Sequence, residues 1–354
     1  MIEAASRMAL AAERELEALV AVSSPSGDVA GAEECVALAT AFLPTEAEVE
    51  RVECSTPRHA PDLVGRLHGT GSKRVLLLGH LDTVVAHGAH QPLGRDGDRL
   101  TGSGTVDMKG GVALSLALMR ELAERPDLYA EAAVLLVNDE EWRTAPFAHA
   151  ERFAGFDACL CFEAGERRPG GEEAVIVKRK AAGTLSVNAH GRSSHSGSAP
   201  ERGRSALLAL AAAAQMVARC NDPGGPHRLT AVPTILRSGD AFNVVPACGE
   251  LLCDLRADRL EATLVRACPG MDSREATADV LARATDRLGR PVVGNERGGA
   301  SDASHVAAGG VALTIDGLGP RGGGAHTPDE WVRAESLRSR AEVALAVASA
   351  LLEG

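Results

Sequence analysis

The sequence predicts an α/β fold in which one larger domain is split by a small α+β insertion, and three observations predict it. Apolar runs such as RVLLLGH (74–80), AAVLLVNDEE (132–141) and DACLCFE (157–163) alternate with segments of helical spacing through the first 180 residues. That alternation is expected of a mostly parallel sheet with flanking helices. At residue 181 the pattern changes to one strand, one long helix and two more strands, and from residue 272 helix–strand alternation resumes. The predicted organisation is therefore residues 1–181 and 261–354 as the two parts of the larger domain, with 182–260 as the insertion.

Each element follows in order. MIEAASRMALAAERELEALV has amphipathic helical spacing, and Glu3, Glu13, Glu15 and Glu17 interrupt any apolar signal-peptide core. No apolar stretch approaches the roughly 20 residues needed to span a bilayer. These features predict a cytoplasmic protein whose eight cysteines stay reduced. HGTGSKR (68–74) leads into a strand and not a helix, which predicts a hairpin turn instead of a phosphate loop. In 109–124, Val112, Leu116, Met119 and Leu122 recur at helical spacing, and Pro126 closes the segment. Cys159 and Cys161 flank Leu160 along one strand, so they share a face and read as core. Within the insertion, GTLSVNAHG, LTAVPTILRSG and FNVVPACGELLCDLRA read as strands, and RSALLALAAAAQMVARC as a helix. Such a β-α-β-β block suits a small domain with one solvated sheet face. The chain closes with a helix in ESLRSRAEVALAVASALLEG.

A chain of 354 residues can bury a large core. Aromatics make up only 3%, so that core must be built from Ala, Val and Leu. The net charge of −11 argues against nucleic acid or an anionic membrane as partner.

The candidate chemistry lies at strand ends, where open α/β sheets bind their ligands. His80, Asp107, Glu141, Glu163 and His326 all follow apolar runs or the loops after them, with Glu140 beside them as a further carboxylate. Imidazoles and carboxylates in this number suit a pair of zinc ions with an open position, and cobalt or manganese would suit the same donors. Asp82, two residues after His80, is placed to accept from the second imidazole nitrogen and set its tautomer. Asp107 precedes a helix start, where it reads either as an N-cap or as a carboxylate bridging two metals. Glu140 and Glu141 point to opposite sides in extended chain, so one can ligate while the other faces water. Asp302 and Glu330 are candidate supporting acids. No GxSxG elbow exists, and Ser193-Ser194-His195 has no orienting acid nearby, which argues against a serine nucleophile.

GHLDTV, GSGTVDMKGG, NDEE, CFEAGE, GRSSHSG, FNVVP, CDLR and GGGAHTPDE, in that order, resemble the M20 family of zinc metallopeptidases and aminoacylases, over nearly the whole chain. The resemblance implies a phosphorylase/hydrolase-like mixed sheet with flanking helices, interrupted by a lid and dimerisation domain. It implies His80, Asp107 and Glu163 on one zinc, and Asp107, Glu141 and His326 on the other, with a cis Asp107–Met108 peptide. Glu140 would be the general base. His195 would reach a partner's active site to stabilise the oxyanion, and Asn243 and Arg256 would hold the substrate, Arg256 by its carboxylate. The implied activity is hydrolysis of an amide bond beside a free carboxylate, in an N-acyl amino acid or small peptide, by a homodimer formed through the lid. An N-acetyl or N-succinyl amino-acid deacylase and a non-hydrolytic acyl-transfer or binding member are the alternatives. Two departures stand out: Trp142-Arg143-Thr144-Ala145-Pro146 replaces a small Gly/Ser-rich stretch, and the insertion is shortened after DLRAD.

Overall fold

The computed structural model describes residues 1–258 and 266–354, so the boundary drawn at 260/261 lies outside the described residues. Two compact units result: Met1–Lys178 with Met271–Arg297 and Ser301–Gly354, and Arg179–Gly270 with Gly298–Ala300. The first unit begins with α1 (Ile2–Ala21), α2 (Val29–Phe42), β1 (Glu48–Val52), β2 (Asp62–His68) and β3 (Arg74–His80). It continues through β4 (Gly94–Asp96), β5 (Arg99–Thr101), α3 (Gly110–Ala123), β6 (Glu131–Val137), β7 (Ala158–Cys161), β8 (Glu166–Arg167) and β9 (Glu173–Arg179). The second unit supplies β10 (Ala181–His190), α4 (Ala206–Arg219), β11 (Thr230–Ser238), β12 (Cys248–Ala257) and β13 (Arg266–Cys268). The first unit then resumes with β14 (Met271–Asp272), α5 (Arg274–Leu288), β15 (Val292–Arg297) and α6 (Asp302–Ala308). It ends with β16 (Thr314–Ile315), β17 (Gly322–Gly323), β18 (Trp331–Arg333) and α7 (Ala334–Leu352).

The main sheet of the first unit runs β1-β2-β6-β3-β7-β16. β6, β3, β7 and β16 are mutually parallel, while β1 and β2 pair antiparallel at one edge, so the sheet is mixed. β6 inserts between β2 and β3, which corrects the expected hairpin at 68–74. The glycines of that turn instead grip the segment entering β6: Gly69 and Gly71 donate to the carbonyls of Ala130 and Tyr129.

β3 and β6 are buried on both faces. Val75, Leu77, Val134 and Leu136 enter one core with α1, α3 and α7; Leu76, Leu78, Leu135 and Val137 enter the other. Their runs are continuously apolar for that reason. Cys159 and Cys161 share the second core and Leu160 the first, and all eight cysteines are free thiols. Because β3, β6 and β7 run parallel, their carboxyl ends emerge on one edge, and these deliver His80, the Asn138–Glu141 turn and Glu163.

The second unit is an antiparallel sheet, β11-β12-β10-β13, with α4 packed on it through Leu210, Leu251 and Cys253. The sequence reading missed the fourth strand, β13, whose three residues are too few for alternation to register. The strand expected from Phe242 begins only at Cys248, and Phe242 is fully exposed. Among the described residues no helix is long and apolar enough to cross a membrane.

Candidate active site

His80 closes β3 and is buried. Its Nε2 lies 3.2 Å from Asp107 Oδ1 and 3.8 Å from Glu163 Oε1. Its Nδ1 lies 2.9 Å from the backbone carbonyl of Asp82 and 3.4 Å from the Asp82 carboxylate, so both groups of Asp82 face this nitrogen. A carbonyl only accepts, so Nδ1 carries a proton; Nε2 donates to Asp107 while the ring is charged, and offers its lone pair to a cation once that proton leaves. The Asp82 carboxylate also accepts from the amides of Glu140 and Glu141, both at 3.2 Å.

Asp107 is the centre of the cluster. Oδ1 faces His80, while Oδ2 lies 3.1 Å from His326 Nε2, which is itself 3.1 Å from Glu141 Oε2. The Asp107–Met108 peptide is cis. Asp107 caps no helix: α3 starts after Lys109 without a side-chain cap. Its backbone is instead held by Glu330. Oε1 of that buried acid accepts from the amides of Val106 (2.8 Å) and Asp107 (2.9 Å), and Oε2 from Gly104 (2.9 Å). Gly104 adopts φ +76°, and a Cβ there would sit 2.8 Å from Thr83 Cγ2. The GSGTVD approach to Asp107 therefore needs glycine at this point.

The acidic turn after β6 is pinned amide by amide. Asn138 donates to Asp62 Oδ1 at 2.8 Å, and Thr56 gives its amide (2.9 Å) and hydroxyl (2.7 Å) to Asp139 Oδ2. Arg143, only 7% exposed, donates from Nε (3.1 Å) and Nη2 (2.7 Å) to Asp139 Oδ1. It also forks onto Asp302, Nη2–Oδ2 at 2.8 Å with a second contact from Nη1. The sequence marks Asp302 as a supporting acid but gives Arg143 no role beyond its place in the 142–146 departure. Nothing in the local sequence separates this buried arginine from a surface one, since its partners are 4 and 159 residues away.

The cluster's electrostatics follow from burying so many acids together. Burial pushes Glu140 well above the usual carboxylate range; His80 opposes this, while Asp302, Glu163 and Glu141 add to it. Burial likewise raises Glu141, against its hydrogen bond from His326. Burial disfavours a charged Asp107, but hydrogen bonds from His326 and His80 prevail and hold it below its ordinary value. Hydrogen bonds to Asp107 and Glu141 raise His326 to about 10. Burial disfavours protonation of His80, yet its contacts with Asp107 and Asp82 hold it well above its ordinary value. Burial drives Glu330 up to about 7 despite its three amide donors.

Ring protons thus neutralise the acids where a dication would do so, once its ligands were deprotonated. The donor set fits a metal: one ligand atom each from His80, Asp107 and Glu141 falls within 4.8 Å of the others. Glu141 Oε1 is buried without a hydrogen-bond partner, which leaves a carboxylate oxygen available to a cation. His326, in a turn at φ +65°, and Glu163 flank that trio.

His195, Asn243 and Arg256 belong to the second unit. His195 Nδ1 accepts from the amides of Gly197 (3.1 Å) and Ser198 (3.2 Å), so the neutral ring presents Nε2–H as a donor. Asn243 is exposed, and its carbonyl accepts from the Ser196 amide at 3.0 Å. Arg256 donates from Nε to Asp254 at 2.9 Å and from Nη1 to the Gly298 carbonyl at 3.2 Å.

The sequence profile of peptidase family M20/M25/M40 matches residues 76–350. Carboxypeptidase G2 from Pseudomonas sp. (strain RS-16) is 30% identical over 263 residues, which is 70% of this chain and 60% of that protein. The chain thus spans under two thirds of that relative's length. Succinyl-diaminopimelate desuccinylase from Stenotrophomonas maltophilia (strain R551-3) is 30% identical over 77% of this chain and 82% of its own. Among solved structures, a tripeptidase from Staphylococcus aureus superposes with a TM-score of 0.76 at 18% identity, covering 98% of this chain and 99% of that one. The M20 family metallo-carboxypeptidase Sso-CP2 from Sulfolobus solfataricus gives 0.74 at 13% identity, over 97% and 99%. At these identities the structures speak for the fold alone.

Proposed function

The chain belongs to peptidase family M20/M25/M40, a family of hydrolases, and from that premise we propose that it hydrolyses an amide bond beside a free carboxylate, in an N-acyl amino acid or small peptide. The observation that carries this reading is the double engagement of Asp107, with one oxygen toward His80 and the other toward His326. A carboxylate shared in this way suits two metal ions, zinc by preference, with cobalt or manganese as substitutes. His80, Asp107 and Glu163 would hold one ion, and Asp107, Glu141 and His326 the other. When bound, the pair supplies Lewis-acid polarisation of the scissile carbonyl and acidifies water.

The residues supply the rest. Glu140, held above the usual carboxylate range by burial, takes a proton from the attacking water and gives it to the departing amine nitrogen. Asp82 holds the amides of Glu140 and Glu141, which sets where those carboxylates start. His195 Nε2–H, from the partner subunit, donates to the oxyanion. Arg256 exchanges Asp254 for the substrate carboxylate, and Asn243, in the loop before β12, is a further substrate contact. Dimerisation would use the second unit, where Leu208, Met216, Val232, Ile235 and Leu236 are exposed on α4 and β11. The acting species would be a cytoplasmic homodimer.

A deacylase of N-acetyl or N-succinyl amino acids is the second reading. It is favoured by the 82% coverage of the desuccinylase against 60% of the carboxypeptidase. The deciding experiment measures free-amine release from N-acyl amino acids and dipeptides, by wild type and Glu140→Ala, after chelation and with zinc restored. Zinc-restored cleavage by wild type alone supports hydrolysis, and the preferred substrate chooses between the readings. A zinc-loaded wild type that cleaves nothing in the panel sinks both.

A further inference from the structure

Trp142 directly follows Glu141, whose Oε2 lies 3.1 Å from His326 Nε2, so its Cα is about 3.8 Å from that of a cluster residue. It is 69% exposed in a chain with two tryptophans. The other, Trp331, is covered by the guanidiniums of Arg99 (4.2 Å from the ring centroid) and Arg333 (5.5 Å). Trp142 makes no such ring contact among the described residues.

A lone exposed aromatic means little by itself. This one differs because the chain on both sides of it is immobilised. Glu141 is held through its amide by Asp82. Arg143 is buried in its fork with Asp139 and Asp302, and the Thr144 amide donates to Thr56 Oγ1 at 3.1 Å. Arg143 turns inward and Trp142 stays exposed, so a buried ionic anchor fixes the backbone that carries this large flat side chain, one residue from Glu141.

We propose that Trp142 is a specificity-determining residue, whose indole face receives a planar aromatic group of the substrate. This rests on the hydrolase reading above. An indole recognises flat π systems by stacking at little entropic cost, since only two side-chain torsions need be set. Flexible aliphatic acyl groups gain less from the same face.

The test compares matched N-benzoyl and N-acetyl amino acids in wild type, Trp142→Ala and Trp142→Phe. The benzoyl-to-acetyl ratio of kcat/KM, in which any general loss cancels, should fall about tenfold in Trp142→Ala and recover largely in Trp142→Phe. A ratio within about twofold of wild type in Trp142→Ala overturns the proposal. A second arm needs no turnover: N-benzoyl-glutamate and N-benzoyl-alanine are titrated into zinc-loaded Glu140→Ala while tryptophan emission is followed. Quenching that disappears when Trp142→Phe is added supports stacking. Quenching that persists, or none at all, overturns it. If no amide is cleaved, the hydrolase reading fails while this arm still decides the role of Trp142.

Discussion

Glu330 Oε1 lies 2.9 Å from the amide nitrogen of Asp107, so the carboxylate at the centre of the cluster is aimed by another carboxylate 223 residues later. Glu330 follows His326 by four residues, so one short segment supplies both an imidazole facing Asp107 and the acid that fixes Asp107's backbone. Displacing that segment would disturb both at once.

Replacing Glu330 by alanine should therefore weaken metal retention without removing any proposed ligand. Three buried amides lose their acceptor, and loss of a group supporting the ligands commonly costs 10–100-fold in metal affinity or activity. Zinc titration against a competing chelator reads this directly. An unchanged affinity would show that the backbone at Asp107 holds its position without Glu330.

Glu140→Gln should separate chemistry from assembly. The proposed proton carrier is lost while His80, Asp107, Glu141, Glu163 and His326 remain. kcat should then fall by about 10²–10⁴ with KM and zinc content little changed. His326→Ala should do the reverse in order of events, losing bound zinc first and activity with it. Parallel metal analysis and kinetics distinguish the two, and a Glu140→Gln protein that binds no zinc would recast Glu140 as a ligand.

Arg143→Met should cost about 3–5 kcal/mol of stability, because it strands Asp139 and Asp302 as buried carboxylates without their shared guanidinium. Arg143→Lys keeps the charge but not the fork, and should recover only part of the loss. Denaturant unfolding at neutral pH measures both variants. A loss below about 1 kcal/mol for Arg143→Met would mean that water reaches these acids.

The parts of the site that sequence made legible are those whose position follows from strand ends. His80, Glu141 and Glu163 each end or follow an apolar run, and parallel β3, β6 and β7 bring those ends to one edge. What stayed hidden depends on pairing between distant segments. The β2–β6–β3 order, which dissolves the expected hairpin, is a matter of which strand inserts between two others, and local pattern does not encode it. Arg143 was hidden likewise, as its burial is decided by Asp302 on α6. His80 Nδ1 illustrates a finer limit: spacing put the Asp82 carboxylate beside the ring but gave no sign that the Asp82 carbonyl would lie nearer.

Acid stability offers a test well away from the metal cluster. Glu131 starts β6, opposite His68 on β2 and Arg74 on β3, and is gripped by Arg66 Nη1 (2.5 Å) and Arg74 Nη2 (2.7 Å). Burial disfavours its charge, but hydrogen bonds from Arg74 and Arg66 prevail and hold it below its ordinary value. A carboxylate with a depressed folded pKa contributes stability that is present above its unfolded value, near 4.5, and is lost as pH falls through the folded one. Glu131→Gln should therefore cost about 1–2 kcal/mol at pH 7, a typical net value for charged hydrogen bonds with partly exposed partners. That gap should stay constant down to about pH 5 and narrow below it, because only the wild type has this proton still to gain. Urea unfolding of the chelated proteins at pH 7 and pH 4 checks the sign. A gap that widens in acid would mean that Glu131 is held protonated, and that Arg66 and Arg74 do not govern it.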